Sequence, residues 1–241
     1  MNAIVLARRD FREHDQLISC YTEGQGRLDL IARGVKKITS KNAAALEPFS
    51  FVYLGVAAGK EMNYITTVQS QEYYANIRKD IGKSMVASWI VSLVMQLVYT
   101  DEPDDRIFYL LQQTLTALSR IEHVTVSFVD IFVVHLMVLL GFTPKVGTCV
   151  FCEKEAGSAA TYWFSFENGG IVCTACRDRN TPDECGITFS ESDRVLLNVM
   201  LQGGDEVRTS PASLHACIFG YTQFHAGREV GDWESMRKWL V

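Results

Sequence analysis

Residues 17–33 read LISCYTEGQGRLDLIAR, two short apolar and β-branched runs joined by a glycine-flanked turn. Glycine at positions 24 and 26 permits a tight turn, so the runs Leu17 to Thr22 and Gly26 to Arg33 are predicted to form a β-hairpin. Three further runs have the same character: Ile4 to Arg9, Ser50 to Ala57 and Met62 to Gln69. Five short strands within about 70 residues are typical of an OB-fold, a small five-stranded β-barrel.

Beyond Glu72 the apolar residues recur at helical spacing, and helices are expected over about residues 82–100, 106–120 and 124–141. Pro103 and Asp104 mark the start of the second helix, because both residues suit a helix N-terminus. Another helix is predicted to begin after Ser190, whose hydroxyl followed by Asp193 has the pattern of an N-cap. A last helical pair is predicted over about 211–225 and 233–240.

A segment of about residues 145–185 interrupts these helices with short strand-like runs near 161–166 and 170–173. Strands followed by helices indicate an α+β protein with more than one domain. We therefore predict an OB-fold domain over residues 1–72. The remaining residues, 73–241, are predicted to form an α-helical domain that carries the 145–185 segment as an insertion.

Two runs are apolar enough to raise the question of a membrane span, Met85 to Tyr99 and Val124 to Phe142. The first is short for a bilayer, and the second contains Asp130 and His135, which are costly in lipid. Both are therefore interpreted as core helices. The first residues of the chain lack the basic start and long apolar run of a signal peptide, so a cytoplasmic protein is expected.

Four of the seven cysteines form two Cys-x-x-Cys pairs, Cys149 with Cys152 and Cys173 with Cys176. The spacing between the pairs is that of a zinc ribbon, in which each pair aims two sulfurs at one ion. Four thiolates complete a tetrahedron and leave no position for a catalytic water, so one structural zinc is predicted. A redox dithiol, an iron site of the same geometry and a base-reading zinc finger remain alternatives. The other cysteines are expected to be small buried residues: Cys20, Cys185 and Cys217.

Charge is distributed unevenly along the chain, whose net charge is −5. Residues 1–41 contain five acidic and eight basic residues, so this segment carries a net charge of +3. A basic face on an acidic body suits a nucleic-acid phosphate backbone. The predicted DNA contacts are the eight basic residues Arg8, Arg9, Arg12, Arg27, Arg33, Lys36, Lys37 and Lys41.

The loop that follows the third strand, Ile31 to Lys41, combines four cations with no acid and with Gly34, which lets the backbone approach a ligand. OB-fold barrels bind single strands by combining cationic loops with exposed aromatic rings on which bases stack. Half or more of the aromatic candidates are needed in the barrel core. These candidates are Phe11, Tyr21, Phe49, Phe51, Tyr53 and Tyr64. A solvated loop without a ligand is the alternative interpretation.

Several stretches follow one another in the order seen in a known family: Ile4-Val5-Leu6, Arg9-Asp10-Phe11-Arg12-Glu13-His14-Asp15, Tyr21-Thr22-Glu23-Gly24-Gln25-Gly26-Arg27, Ala32-Arg33-Gly34-Val35-Lys36 and Leu46-Glu47-Pro48-Phe49. Near the end stands Phe224-His225-Ala226-Gly227-Arg228-Glu229. These stretches resemble the bacterial RecO family of DNA repair proteins. The order of parts agrees as well, with a barrel, a helical domain and the cysteine insertion that many members have.

The resemblance implies a mediator of DNA repair and homologous recombination. Such a protein binds single- and double-stranded DNA, anneals complementary strands and, with RecR and sometimes RecF, helps to load RecA onto DNA coated with single-strand binding protein. It also implies a cytoplasmic protein at the nucleoid that binds the acidic C-terminal tail of single-strand binding protein. In the helical domain, a hydrophobic groove edged by cations such as Arg106 or Arg120 is expected to receive that tail.

The residues themselves predict no enzymatic activity. The five histidines are scattered, and the sequence has no nucleophile elbow, P-loop or paired metal-carboxylate motif. The alternative function is a protein-interaction adaptor with a structural zinc and little direct DNA contact, which the low pI of about 5.6 favours. A zinc-dependent hydrolase is a third possibility.

Overall fold

The computed structural model describes residues 1–38, 40, 42–99, 103–157, 160–179, 185–204, 207–227, 230, 237–238 and 240. Lys41 and five of the eight residues of the predicted helix at 233–240 lie outside these described residues. Two compact units are present, one drawn from Met1–Val124 and the other from Thr125–Val230. The domain boundary after residue 72 stays a prediction.

Five strands of the first unit form a closed barrel: β1 (Asn2–Asp10), β2 (Gln16–Thr22), β3 (Gly26–Ala32), β4 (Phe51–Ala57) and β5 (Tyr64–Glu72). Their order around the barrel is β1-β2-β3-β5-β4, and β4 pairs with β1 to close it. The contact between β3 and β5 is parallel and joins Ile31 to Tyr64. This strand order confirms the predicted OB-fold barrel, and the strand ends lie within about three residues of those predicted.

The barrel core is formed by side chains that alternate along the strands. Its fully buried members include Val5, Ile18, Cys20, Leu30, Val52 and Leu54. Asp10 pairs with Gln16 across β1 and β2, and Gln16 also pairs with Ala32 across β2 and β3. The end of β1, the turn of residues 11–15 and the loop after β3 therefore lie at the same end of the barrel.

Three helices accompany the barrel in the described part of the first unit: α1 (Ala75–Lys79), α2 (Ile81–Leu97) and α3 (Asp105–Arg120). The start predicted for α3 is confirmed, because the Asp104 carboxylate accepts a hydrogen bond from the Arg106 N–H at 2.9 Å. The short helix α1 is absent from the sequence prediction, since five residues are too few to show a helical period. The β2–β3 turn contacts α3, where the Gly24 N–H donates to the Asp105 carboxylate at 2.7 Å.

The described part of the second unit combines helices with a small sheet: α4 (Val126–Leu139), β6 (Thr161–Ser165), β7 (Gly170–Val172), α5 (Thr174–Arg177), β8 (Gly186–Ser190), α6 (Glu191–Leu201) and α7 (Ala212–Ala226). Strand β6 lies between β7 and β8 and is antiparallel to both. The sequence prediction lacks α5, which at four residues is too short to show a helical period, and β8, which directly precedes the predicted helix start at Ser190. Because β8 belongs to this sheet, the sheet extends past the predicted end of the insertion near residue 185.

Asp130 and His135 lie on the apolar helix α4, and both have partners within the second unit. The Asp130 carboxylate accepts hydrogen bonds from Nδ1 of His215, at 2.7 Å, and from the Ser210 hydroxyl. Nε2 of His135 donates to the Met200 carbonyl at 3.0 Å. These bonds satisfy polar groups that would be costly to bury alone. No helix within the described ranges is both long enough and apolar enough to cross a membrane.

Candidate metal centre and nucleic-acid interface

The four cysteines of the two Cys-x-x-Cys pairs lie together in the second unit. Cys149 and Cys152 flank a tight turn, Cys173 is the N-cap residue of α5, and Cys176 lies within α5. Their Sγ atoms all lie within 4.8 Å of one another, and those of Cys152 and Cys173 are 3.8 Å apart. The fold therefore brings the predicted cysteines close enough to hold one metal ion.

The donor set fits a tetrahedral ion, because metal–sulfur bonds of about 2.3 Å place neighbouring sulfurs about 3.8 Å apart. Burial tends to raise the pKa of the Cys149 thiol, but hydrogen bonds from the backbone of Cys173, Cys152 and Phe151 lower it to about 6. Burial and hydrogen bonds to the other three sulfurs raise the pKa of Cys176 to about 12. Zinc and iron both accept four thiolate ligands, so the geometry supports either metal.

Backbone hydrogen bonds attach the first cysteine pair to the small sheet. The Val150 N–H donates to the Ile171 carbonyl in β7 at 3.0 Å, and the Lys145 carbonyl accepts from the Ile171 N–H at 2.9 Å. Gly170 permits this close approach, because an added Cβ would lie 2.4 Å from the Lys145 carbonyl oxygen. The sheet therefore sets the position of Cys149 relative to the second pair.

The three remaining cysteines differ from one another in exposure. Cys20 and Cys217 are buried as predicted, and burial raises the pKa of the Cys20 thiol to about 12. The prediction for Cys185 is wrong, because its side chain is exposed where the chain enters β8. Its backbone carbonyl accepts from the Phe166 N–H at 3.0 Å, which fixes the backbone at the start of β8.

Six of the predicted DNA contacts lie at one end of the barrel. Arg8 and Arg9 are in β1, Arg12 is in the turn of residues 11–15, and the loop after β3 supplies Arg33, Lys36 and Lys37. The loop and the turn are joined by two hydrogen bonds. The Gly34 N–H donates to the Asp15 carboxylate at 2.8 Å, and the Lys36 N–H donates to the His14 carbonyl at 3.1 Å. We call the six cations the basic cluster.

His14 and Asp15 were not singled out by sequence reasoning, although both hold the loop of the basic cluster. Asp15 and Gly34 are 19 residues apart along the chain, and the pairing of Gln16 with Ala32 in the β2–β3 hairpin places them side by side. Gly34 has a φ of 64°, a conformation that few other residues adopt. The glycine itself was a usable signal for a special backbone position.

Acidic neighbours neutralise part of the basic cluster. Arg8 forms an ion pair with Glu47 at 2.6 Å, and Lys36 forms one with Asp10 at 2.8 Å. The hydrogen bond from Lys36 lowers the pKa of Asp10, so this carboxylate is charged at neutral pH. Within the described part of the chain, Arg9 and Lys37 have no carboxylate within ion-pair distance, which leaves their charge available to a ligand.

Two arginines of the basic cluster lie over aromatic rings. The Arg33 guanidinium carbon is 4.3 Å from the centre of the Tyr64 ring, and that of Arg12 is 5.1 Å from the centre of the Phe11 ring. Of the other aromatic candidates, Tyr21 and Phe49 are buried, Phe51 is partly buried, and Tyr53 is 44% exposed. The barrel core thus takes fewer of these rings than the sequence predicted.

The other predicted contacts with assigned positions lie away from the basic cluster. Arg27 is half-buried, and its Nη1 donates to the Met95 carbonyl in α2 at 2.8 Å. The Asp104 carboxylate binds Arg106 through two guanidinium nitrogens. Arg120 is exposed at the end of α3, about 21 Å from Arg106 at a rise of 1.5 Å per residue. The structure therefore does not bring Arg106 and Arg120 together at one groove.

Two models of one protein family match consecutive parts of the chain. Residues 1–74 match the family model described as Recombination protein O N terminal. Residues 78–229 match the model described as Recombination protein O C terminal. The chain belongs to the RecO family. The resemblance predicted from the sequence is therefore confirmed.

Several proteins named DNA repair protein RecO are similar to this chain over most of their length. The DNA repair protein RecO of Syntrophomonas wolfei is 31% identical over 176 residues, which cover 72% of this chain and 68% of that protein. The protein of the same name from Thermoanaerobacter strain X514 is 28% identical over 177 residues, 73% of this chain and 70% of its own. For Bifidobacterium adolescentis the identity is 28% over 213 residues, 87% of this chain and 85% of the relative.

Proposed function

We propose that this RecO-family protein is a mediator of DNA repair and homologous recombination that acts without catalysis. It binds single- and double-stranded DNA through the basic cluster, anneals complementary strands, and helps to load RecA onto DNA coated with single-strand binding protein. Annealing needs no bond chemistry, because cations reduce the repulsion between two phosphate backbones while the bases pair. The family membership supports the DNA repair role.

The observation that carries the proposal is the loop of residues 33–38 held against the turn of residues 11–15. The two hydrogen bonds to Asp15 and His14 fix the loop backbone before DNA arrives. Preorganisation lowers the entropy that binding must overcome. Arg9, Arg33 and Lys37 then present positive charge at one end of the barrel without a carboxylate partner in the described residues.

For the cysteine cluster we propose one zinc ion with a structural role, held by Cys149, Cys152, Cys173 and Cys176. Zinc is favoured because it commonly occupies closed four-cysteine sites and carries no redox chemistry. The ion would link the turn after α4 to α5 and so close a long loop. No ligand position remains for water, which supports a structural rather than a hydrolytic site.

The proposed partners are RecR, sometimes RecF, the acidic C-terminal tail of single-strand binding protein, and RecA indirectly. The proposed place is the cytoplasm, at the nucleoid. For the acidic tail we propose the surface around α3, where Arg106 and Arg120 supply cations. Arg106 is already bound to Asp104, so Arg120 is the stronger candidate.

The test of DNA binding replaces Arg33, Lys36 and Lys37 together by Ala in the full chain. These side chains are exposed, and the ion pair of Lys36 contributes at most about 1 kcal/mol, so the variant should fold. Binding of a labelled oligothymidine is measured by fluorescence anisotropy at several salt concentrations. The affinity should fall roughly tenfold or more at low salt, and the logarithmic salt slope should decrease by about 2.

A charge-matched control replaces three exposed cations of the second unit, Lys145, Lys154 and Arg179, by Ala. The control should keep most of the affinity and the salt slope. Equal losses in the two variants would contradict a localised site in the loop. A wild-type protein that binds no DNA at micromolar concentration would favour the adaptor function instead.

A further inference from the structure

Two aromatic rings at the basic end of the barrel are each covered by the arginine of a neighbouring position. Arg33 follows β3 and lies over Tyr64, the first residue of β5, with 4.3 Å between guanidinium carbon and ring centre. Arg12 lies over the neighbouring Phe11 at 5.1 Å. Both arginines and Phe11 are exposed, and Tyr64 is partly buried, so each pair lies at the surface of the barrel.

The two pairs belong to one hydrogen-bonded piece of structure. The loop that carries Arg33 is attached to the turn that carries Arg12 through the bonds from Gly34 to Asp15 and from Lys36 to His14. On the other side, the Ile31 N–H donates to the Asn63 carbonyl at 3.0 Å, which holds the start of β5 beside the end of β3. The rings of Phe11 and Tyr64 therefore flank a single cationic surface.

We infer that Phe11 and Tyr64 are the base-stacking positions of this surface, and that Arg12 and Arg33 leave the rings for phosphates when a single strand binds. The inference rests on the proposed DNA-binding function and specifies how it works. An exposed cation–π contact is weak, and a stacked base interacts more strongly with the same ring. The released guanidinium can then make charge-assisted hydrogen bonds to the backbone of the same strand.

This exchange distinguishes single strands from duplexes. Bases in a duplex are already stacked on one another and cannot stack on the two rings. A duplex therefore contacts this surface mainly through its phosphates. The two rings therefore contribute to single-strand affinity and little to duplex affinity. Tyr53 in β4 provides a matched comparison, because it is 44% exposed but no arginine of the described residues lies over its ring.

The experiment compares Tyr64→Leu, Phe11→Leu and Tyr53→Leu with the unaltered full chain, using an oligothymidine and a duplex of the same length. Tyr64→Leu and Phe11→Leu should each weaken single-strand binding about tenfold while changing duplex binding by less than about twofold. Their salt slopes should not change, since the phosphate contacts remain. Tyr53→Leu should bind both ligands normally, and Tyr64→Phe should restore single-strand affinity.

The movement of the arginine is tested with Arg33→Lys, which keeps the charge but lacks a planar group to cover the ring. If the guanidinium leaves Tyr64 on binding, this variant should keep single-strand affinity within about twofold. A loss of single-strand affinity as large as that of Tyr64→Leu would show that Arg33 must stay on the ring, which overturns its proposed release. A further check needs no substituted protein. Binding of the unaltered chain should quench the fluorescence of 2-aminopurine in the oligonucleotide, and unchanged fluorescence would overturn the stacking inference.

The two possible failures are distinguishable. Suppose that the unaltered chain binds DNA, but that the Leu substitutions lower the affinities for single strands and duplexes equally, or leave both affinities unchanged. The stacking inference is then overturned and the proposed function stands. If the unaltered chain binds neither ligand, the proposed function is overturned and the inference with it.

Discussion

Gly26 illustrates how one residue ties the barrel to a helix. Its φ of 65° lies in the left-handed region, and a Cβ at this position would lie 2.9 Å from the Cα of Pro103, just before α3. Gly24 has a φ of 85° in the same turn, but a Cβ there would meet no other atom of the described residues within 4 Å. The two glycines therefore share a backbone requirement and differ in packing.

The Gly26→Ala substitution should lower the free energy of unfolding of the first unit by roughly 2–4 kcal/mol, through backbone strain and overpacking against a backbone atom. Gly24→Ala should cost only about 1 kcal/mol, because it adds strain without a clash. Urea denaturation followed by circular dichroism measures both changes. Equal losses would mean that the contact with Pro103 does not limit this position.

At the scale of elements, helix α6 begins with a capping box that also binds α7. The Ser190 hydroxyl accepts from the Asp193 N–H at 3.1 Å, and the Asp193 carboxylate accepts from the Ser190 N–H at 3.2 Å. The same carboxylate accepts from the Ser213 hydroxyl in α7 at 3.0 Å, although its side chain is fully buried. Asp193 thus serves two helices, whereas Ser190 serves one.

Removing the carboxylate should therefore cost more than removing the cap hydroxyl. Ser190→Ala is expected to destabilise the second unit by about 1 kcal/mol. Asp193→Ala should cost roughly 3 kcal/mol, because it removes a buried carboxylate that accepts hydrogen bonds from the Ser190 N–H and the Ser213 hydroxyl. Thermal unfolding of the two variants, beside Ser192→Ala at an exposed position of the same turn, gives the order. An Asp193→Ala protein as stable as Ser190→Ala would contradict the link to α7.

At the scale of the whole molecule, the proposed metal stabilises one unit while the basic cluster belongs to the other. Cys149→Ser should abolish the zinc content, expected to be one ion per chain, and lower the stability of the second unit by roughly 3 kcal/mol or more. The variant should still bind DNA at temperatures at which the first unit, which contains the barrel, stays folded. Zinc is measured by atomic emission and stability by thermal unfolding.

Cys185→Ser is the appropriate control for the metal prediction, because Cys185 is exposed and lies outside the cluster. It should keep both the zinc and the unfolding temperature of the unaltered chain. A Cys149→Ser protein that loses zinc without losing stability would argue against a structural ion. If the purified protein contained iron in place of zinc, the four proposed ligands would stand and the proposed metal would be wrong.

Much of the barrel and of the metal centre could be predicted because the signals are local. The period of two along each strand and the glycines of the β2–β3 turn depend on residues within a few positions of one another. Two cysteines separated by two residues likewise point their sulfurs together in any tight turn. The N-caps at Asp104 and Ser190 are local for the same reason.

Tertiary structure decided which charges and rings share a surface. The register of the β2–β3 hairpin brings Asp15 to Gly34, and the parallel contact of β3 with β5 brings Arg33 to Tyr64. Arg27 lies at the opposite end of β3 and donates to the Met95 carbonyl of α2. Strand β8 likewise pairs with β6, from which β7 and α5 separate it along the chain. Composition and residue spacing alone were enough to predict the strands of the OB-fold and the two cysteine pairs. Contacts between residues far apart in the chain depend on strand order and register, which no local pattern encodes.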